Sequence, residues 1–189
     1  LIYGLPVMIG GLAGMVNETF DRIALKKLLT CPESTADCNT YAMQQIGIYG
    51  ACYKISIVMS LFIQAFKFAA EPFFFSKMKS QDAKQTYSSV MIVFTIFLLT
   101  IFLGVIAYMD LFQYFVSEEY RVGLNVVPIL LLANFCLGIY YNLSIWYKVS
   151  DKTIYGAYIS GIGAAITLVL NFILVPRFGY LGAAYTTLI

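Results

Sequence analysis

Histidine is absent from this chain, and charge is scarce: only 12% of the 189 residues are Asp, Glu, Lys or Arg. Without histidine there is no imidazole general acid or base, no HExxH zinc site and no imidazole-based triad. No loop carries a DxD-type metal pair. The charge that is present nearly cancels, at a net +2, which gives no electrostatic case for nucleic acid. No signal peptide is visible. No catalytic residues, cofactor or metal are predicted, and the chain does not read as an enzyme.

What it has in excess is apolar residue. Hydrophobic types make up 60%, and the mean hydropathy is +0.80. Soluble domains lie nearer half apolar and a quarter charged. Val90–Met109, Leu124–Tyr147 and Ile154–Val175 carry no charge at all. Each is longer than the roughly 18 residues that span a hydrocarbon core about 30 Å thick. The prediction is an all-α, polytopic transmembrane helix bundle. It has five spans (1–24, 46–70, 87–109, 124–147 and 154–175) and the start of a sixth (181–189), all in one transmembrane domain. The chain starts at Leu1 without a methionine and stops inside an apolar run, so both ends read as cut from a longer polytopic protein.

Tyrosine and phenylalanine mark the span edges. Tyr108, Phe112, Tyr114 and Phe115 crowd one end of the third span; Tyr140, Tyr141, Trp146 and Tyr147 crowd one end of the fourth. Such rings favour the headgroup level. Pro6 and Pro128 are expected inside spans, and "PRFG" is expected to end the fifth. Gly156, Ser160 and Ala164 form a small-xxx-small ladder suited to close helix packing. Loops after spans two and four carry Lys67, Lys77, Lys79, Lys84, Lys148 and Lys152, against Lys26, Lys27, Arg121 and Arg177 in the others. The positive-inside rule puts the first set in the cytoplasm. The loop holding Cys31 and Cys38 then faces an oxidising side, where a disulfide between them is expected.

The candidate site begins in "MVNETFDRIAL". At 3.6 residues per turn, Asn17, Asp21, Glu18 and Arg22 fall within an arc of about 140°. Glu18 and Arg22 form an i,i+4 pair in the favourable order. Apolar Ile23, Ala24 and Leu25 follow, so the helix is expected to continue past the charges, with a polar face turned from lipid. The alternative is a helix ending near Asn17 with solvated residues beyond. Lys54 is placed about 12 Å into span two, where a lone cation costs about 2.5–3.5 kcal/mol unless it snorkels or is paired. Pairing with Glu18 or Asp21 is the expectation. Lys67 and Glu71 are read as an interfacial i,i+4 salt bridge. Asn142, Ser144, Thr167 and Asn171 are read as inter-helix hydrogen-bonding residues.

Several stretches in order resemble the polysaccharide-biosynthesis flippases of the multidrug/oligosaccharidyl-lipid/polysaccharide superfamily: "LPVMIGGLAGMVNETFDRIAL", "GIYGACYKISIVMSLFIQAFKFAAEPFFF", "PILLLANFCLGIYYNLSIWYKVSDKT" and "NFILVPRFGYLGAAYTTLI". The resemblance covers essentially the whole chain, as the second half of such a transporter. It implies a bundle of twelve to fourteen helices in two pseudo-symmetric halves around a central cavity. It also implies a bacterial inner-membrane location and transport of undecaprenyl-pyrophosphate-linked oligosaccharide, as in O-antigen or lipopolysaccharide assembly. By the same resemblance the first two spans line the cavity, which makes Asn17, Glu18, Asp21, Arg22 and Lys54 its lining. Lipid-linked oligosaccharide and membrane lipid are the implied partners, with other polysaccharide assembly proteins left open. The coupling ion, proton or sodium, is undetermined. The loop from Leu25 to Gln45, with its two cysteines, departs from the family pattern. Two alternatives remain: a drug/cation antiporter of the same superfamily, which Glu18 and Asp21 keep open, and a membrane-embedded polymerase or glycosyltransferase.

Overall fold

The computed structural model describes residues 4–31, 37–77, 80, 82–150 and 152–189, except the side chains at positions 5–7, 9, 13 and 16–18. Among the described residues it is all helical, with no strand. The helices are α1 (Gly4–Lys27), α2 (Cys38–Lys77), α3 (Ala83–Ala107), the single turn α4 (Met109–Phe112), α5 (Val127–Val149), α6 (Thr153–Phe178) and α7 (Tyr180–Leu188). Two 3-10 segments, Gln113–Phe115 and Glu118–Val126, form a strap between α4 and α5.

Among the described residues, four stretches are long and apolar enough to cross a membrane: α2, α3, Glu118–Val149 and α6. This corrects the expectation of five spans and part of a sixth. α1 has the length, at 24 residues, but its glycines and the polar residues between Asn17 and Arg22 dilute its apolar character. α7 has only nine residues. The rest of the surface agrees with a multi-pass membrane protein. α3 exposes Ile92, Val93, Ile96 and Leu103, and α6 exposes Ile159, Ile162, Val169 and Phe172. Contiguous apolar surface on that scale is rare on soluble monomers.

Several boundaries move. α2 starts at Cys38, eight residues before the expected Ile46, and runs 40 residues to Lys77. Its start is fixed by Asp37, whose carboxylate accepts the Asn39 N–H at 3.0 Å and the Thr40 hydroxyl at 2.6 Å. The first of these satisfies a backbone N–H that a helix start otherwise leaves open. At 1.5 Å per residue α2 is about 60 Å long, twice the hydrocarbon thickness. Pro128 sits in the first turn of α5, not inside a span, where a missing N–H costs nothing. α6 runs through Pro176 to Phe178. The break comes at Gly179, with φ +57°, and a Cβ there would lie 2.7 Å from Gln45 Oε1.

Lipid gives helices no hydrophobic drive to associate, so close approach and polar contacts must do it. α2 and α5 form the centre. Leu130, Leu131, Met59 and Ile63 are fully or almost fully buried there, and Gly138 lets Leu98 of α3 and Ile63 of α2 reach the α5 backbone. α1 lies along α6 and α7. The ladder on α6 serves two neighbours: Gly156 receives the Tyr147 ring of α5, while Gly10 of α1 faces Ser160 and the Gly156 backbone. Gly123 of the strap sits against Ile48 and Cys52 of α2.

Candidate functional site

At the end of the bundle that carries the strap, Leu29 and Gln45 reach the α6–α7 corner, and the Gln45 side chain accepts the Tyr180 N–H at 3.3 Å. Cys31 and Cys38 are joined there by a disulfide, with Cα atoms 5.7 Å apart, within the range such a bond requires. Asp21 lies about 9 Å below the end of α1, and it is 1% exposed. Three neutral donors from three helices hold it. Tyr49 Oη of α2 donates to Oδ2 at 3.1 Å, Thr187 Oγ1 of α7 to Oδ2 at 2.7 Å, and Asn171 Nδ2 of α6 to Oδ1 at 2.9 Å. Tyr49 and Thr187 are also 3.0 Å apart. Asn171 Oδ1 is buried without a hydrogen-bond partner among the described residues.

Arg22, the next residue, turns the other way. Its guanidinium lies 5.5 Å from the centre of the Tyr53 ring, and it lines a cavity of about 510 Å³. Lys54, exposed, lines the same cavity. The opposite wall is the strap: Phe115, Val116, Ser117 and Tyr120. The floor is the face of α2 bearing Gly47, Gly50 and Ala51, where the absence of side chains makes room. The Tyr120 ring lies 3.1 Å from where a Gly47 Cβ would be. Arg121 closes the strap on itself: its Nε donates to the Gln113 and Val116 carbonyls, both at 3.3 Å. The volume falls in the range of small-molecule sites, roughly 300–1,000 Å³.

The sequence-predicted polar arc is therefore split. Asp21 faces α2, α6 and α7, and Arg22 faces the cavity with Lys54. An arc of about 140° is wide enough to meet two neighbours. The expected pairing of Lys54 with Asp21 is not made, because the carboxylate is taken up by hydroxyl and amide donors on the far side of α1. The side chains of Asn17 and Glu18, and with them the Glu18–Arg22 and Glu18–Lys54 pairs, lie outside the described residues. The helix does continue past Arg22, to Lys27. Tyr49, Thr187 and Tyr120 were not singled out from the sequence, and Phe115 was read only as a ring at a span edge. Tyr49 looks like one more ring in an apolar run, and contacts 28 and 166 residues from Asp21 leave no local signal.

At the other end of the bundle the charges pair. Lys148 of α5 bonds Glu71 of α2, and Lys67 lies 4.6 Å from the Tyr141 ring centre. The expected Lys67–Glu71 bridge is replaced, because Lys148 reaches Glu71 across the α2–α5 seam. Of the four polar residues read as inter-helix bonders, Asn171 does so. Ser144 bonds within its own helix, the Thr167 backbone carbonyl accepts from Asn171, and Asn142 Nδ2 is buried without a partner among the described residues. No group of three potential metal ligands occurs among the described residues.

The helices and their apolar faces define a multi-pass helical membrane protein. No protein-family model, curated protein or solved structure matches the chain.

Proposed function

We propose that this chain is part of a transporter that moves an undecaprenyl-pyrophosphate-linked oligosaccharide across the bacterial inner membrane by alternating access. The observation that supports it is the cavity in which Arg22 and Lys54 stand together, apart from the buried acid. Two cations lining one cavity suit a diphosphate, while the lipid chain stays in the bilayer beside the apolar faces of α3 and α6. The function is binding and reorientation, with no covalent step. The disulfide and the strap then face outward, and the ends of α2 and α5 at Lys77 and Val149 face the cytoplasm.

The test is export in cells expressing the protein in its native reading frame. Lys54→Ala abolishes polysaccharide export at normal protein level, and Lys54→Arg retains part of it. Normal export by Lys54→Ala overturns the reading. The orientation has its own check in a Cys136→Ser background. A cysteine at Ser117 labels from outside with an impermeant thiol reagent and one at Ser80 does not; the reverse inverts the assignment.

A second reading, drug/cation antiport, is favoured by the Asp21 cluster. A buried carboxylate that among the described residues meets neutral donors, beside an Asn171 oxygen with no partner among them, offers oxygen ligands to a proton or a metal cation. Transport of an organic cation in proteoliposomes, lost in Asp21→Asn and retained in Lys54→Ala, supports antiport over flipping.

A further inference from the structure

The cavity has two chemically different walls. α1 and α2 supply the cations; the strap supplies ring faces and hydroxyls. Phe115 is 80% exposed yet lines the cavity, and Ser117 and Tyr120 line it beside that ring. A diphosphate held by Lys54 needs no aromatic wall. An isoprenoid chain needs no hydroxyls, and it has apolar helix faces available in the bilayer. A pyranose uses both: its polarised axial C–H bonds meet the negative face of an aromatic ring, and its hydroxyls meet Ser117 and Tyr120.

Building on the flippase reading, we infer that the strap is the sugar-reading element, with Phe115 and Tyr120 stacking on the sugar next to the diphosphate held by Lys54 and Arg22. Arg121 is a positioning residue for it. By binding the Gln113 and Val116 carbonyls and pairing with Glu118 at 3.6 Å, it fixes the turn that presents Phe115 and Ser117. Its guanidinium also lies 5.8 Å from the Tyr114 ring centre. Gly47 and Gly123 set how closely the strap lies on α2, and so set the width left for a ring.

The experiment compares two probes in proteoliposomes of the full protein: undecaprenyl pyrophosphate alone, and the same lipid carrying one N-acetylhexosamine. Phe115→Leu lowers translocation of the sugar-bearing lipid about fivefold and leaves the bare lipid unchanged. Phe115→Trp restores the sugar-bearing rate. Arg121→Gln raises the KM for the sugar-bearing lipid without changing that for the bare one. Because Phe115 is solvent-exposed, its substitution leaves the fold intact. Equal slowing of both lipids by Phe115→Leu assigns the ring to the chain or the headgroup belt and overturns the inference; so does no change in either. Lys54→Ala is the separate control. If it slows neither lipid, the diphosphate reading fails, while the sugar-to-bare ratio in Phe115→Leu still decides the role of the strap.

Discussion

The two ends of this bundle handle charge in opposite ways. At the end where α2 finishes at Lys77 and α5 at Val149, Glu71 and Lys148 meet across α2 and α5, and Lys67 rests on an aromatic face. Opposite charges are brought together, and the result is a seam. At the strap end, Asp21 is buried on one side of α1 among neutral donors, and Arg22 and Lys54 stand on the other around a cavity. Asp21 is kept from Arg22 and Lys54 there, although Asp21 and Arg22 are neighbours in sequence and Arg121 pairs with Glu118 on the strap itself. Pairing neutralises a cation; separation leaves it able to hold an anionic ligand. On the proposed reading the first end is structural and the second functional.

The comparison breaks first, and by the largest effect on stability, at Asp21. Asp21→Ala removes three inter-helix bonds that join α1 to α2, α6 and α7. At the roughly 0.6 kcal/mol typical of one inter-helix bond in a membrane, the loss is about 2 kcal/mol. Thermal unfolding in detergent reads it; an unchanged midpoint removes the cluster from the account. Asp21→Asn, which keeps an acceptor, loses less.

At the paired end the expected effect is smaller. The Glu71–Lys148 pair is partly exposed, so a double-mutant cycle on unfolding gives a coupling below about 1 kcal/mol. Glu71→Gln leaves export within about twofold, since a seam of this size tolerates the loss. Export collapsing in Glu71→Gln would move function to the wrong end.

The smallest effect is at Asp37. Its bonds to Asn39 and Thr40 hold its carboxyl below the usual carboxylate range. Its contribution to the first turn of α2 is therefore present above that range and lost as pH falls through the lowered value. Amide exchange at Asn39, corrected for intrinsic rate, rises only as pH is lowered below the ordinary carboxylate value of about 4, with no change in the core of α2. Unchanged protection below that value contradicts the cap.

Much of the fold was legible in the sequence because long apolar runs have few other uses. The runs at 90–109, 124–147 and 154–175 fall on α3 with the start of α4, the strap with α5, and α6. What was misread were ends. Apolar periodicity says nothing of a helix that outlasts the bilayer, as α2 does before Ile46. Proline was taken as a stop at Pro176, where the structure breaks at Gly179 instead. At the site, Asp21, Arg22 and Lys54 stood out because charge inside an apolar run is costly, but cost alone does not say which partner relieves it. Nothing local to Asp21 points to Tyr49, Asn171 or Thr187; only the folded arrangement of α1, α2, α6 and α7 does.

The central claim is that Lys54 and Arg22 hold a diphosphate independently of Asp21. Its most direct test is the affinity of the purified protein for undecaprenyl pyrophosphate, measured by titration in detergent. The account predicts a loss of tenfold or more in Lys54→Ala, equivalent to about 1.4 kcal/mol, with little change in Lys54→Arg, Lys148→Ala or Asp21→Asn. Undiminished affinity in Lys54→Ala, or an equal loss in Lys148→Ala, would contradict it.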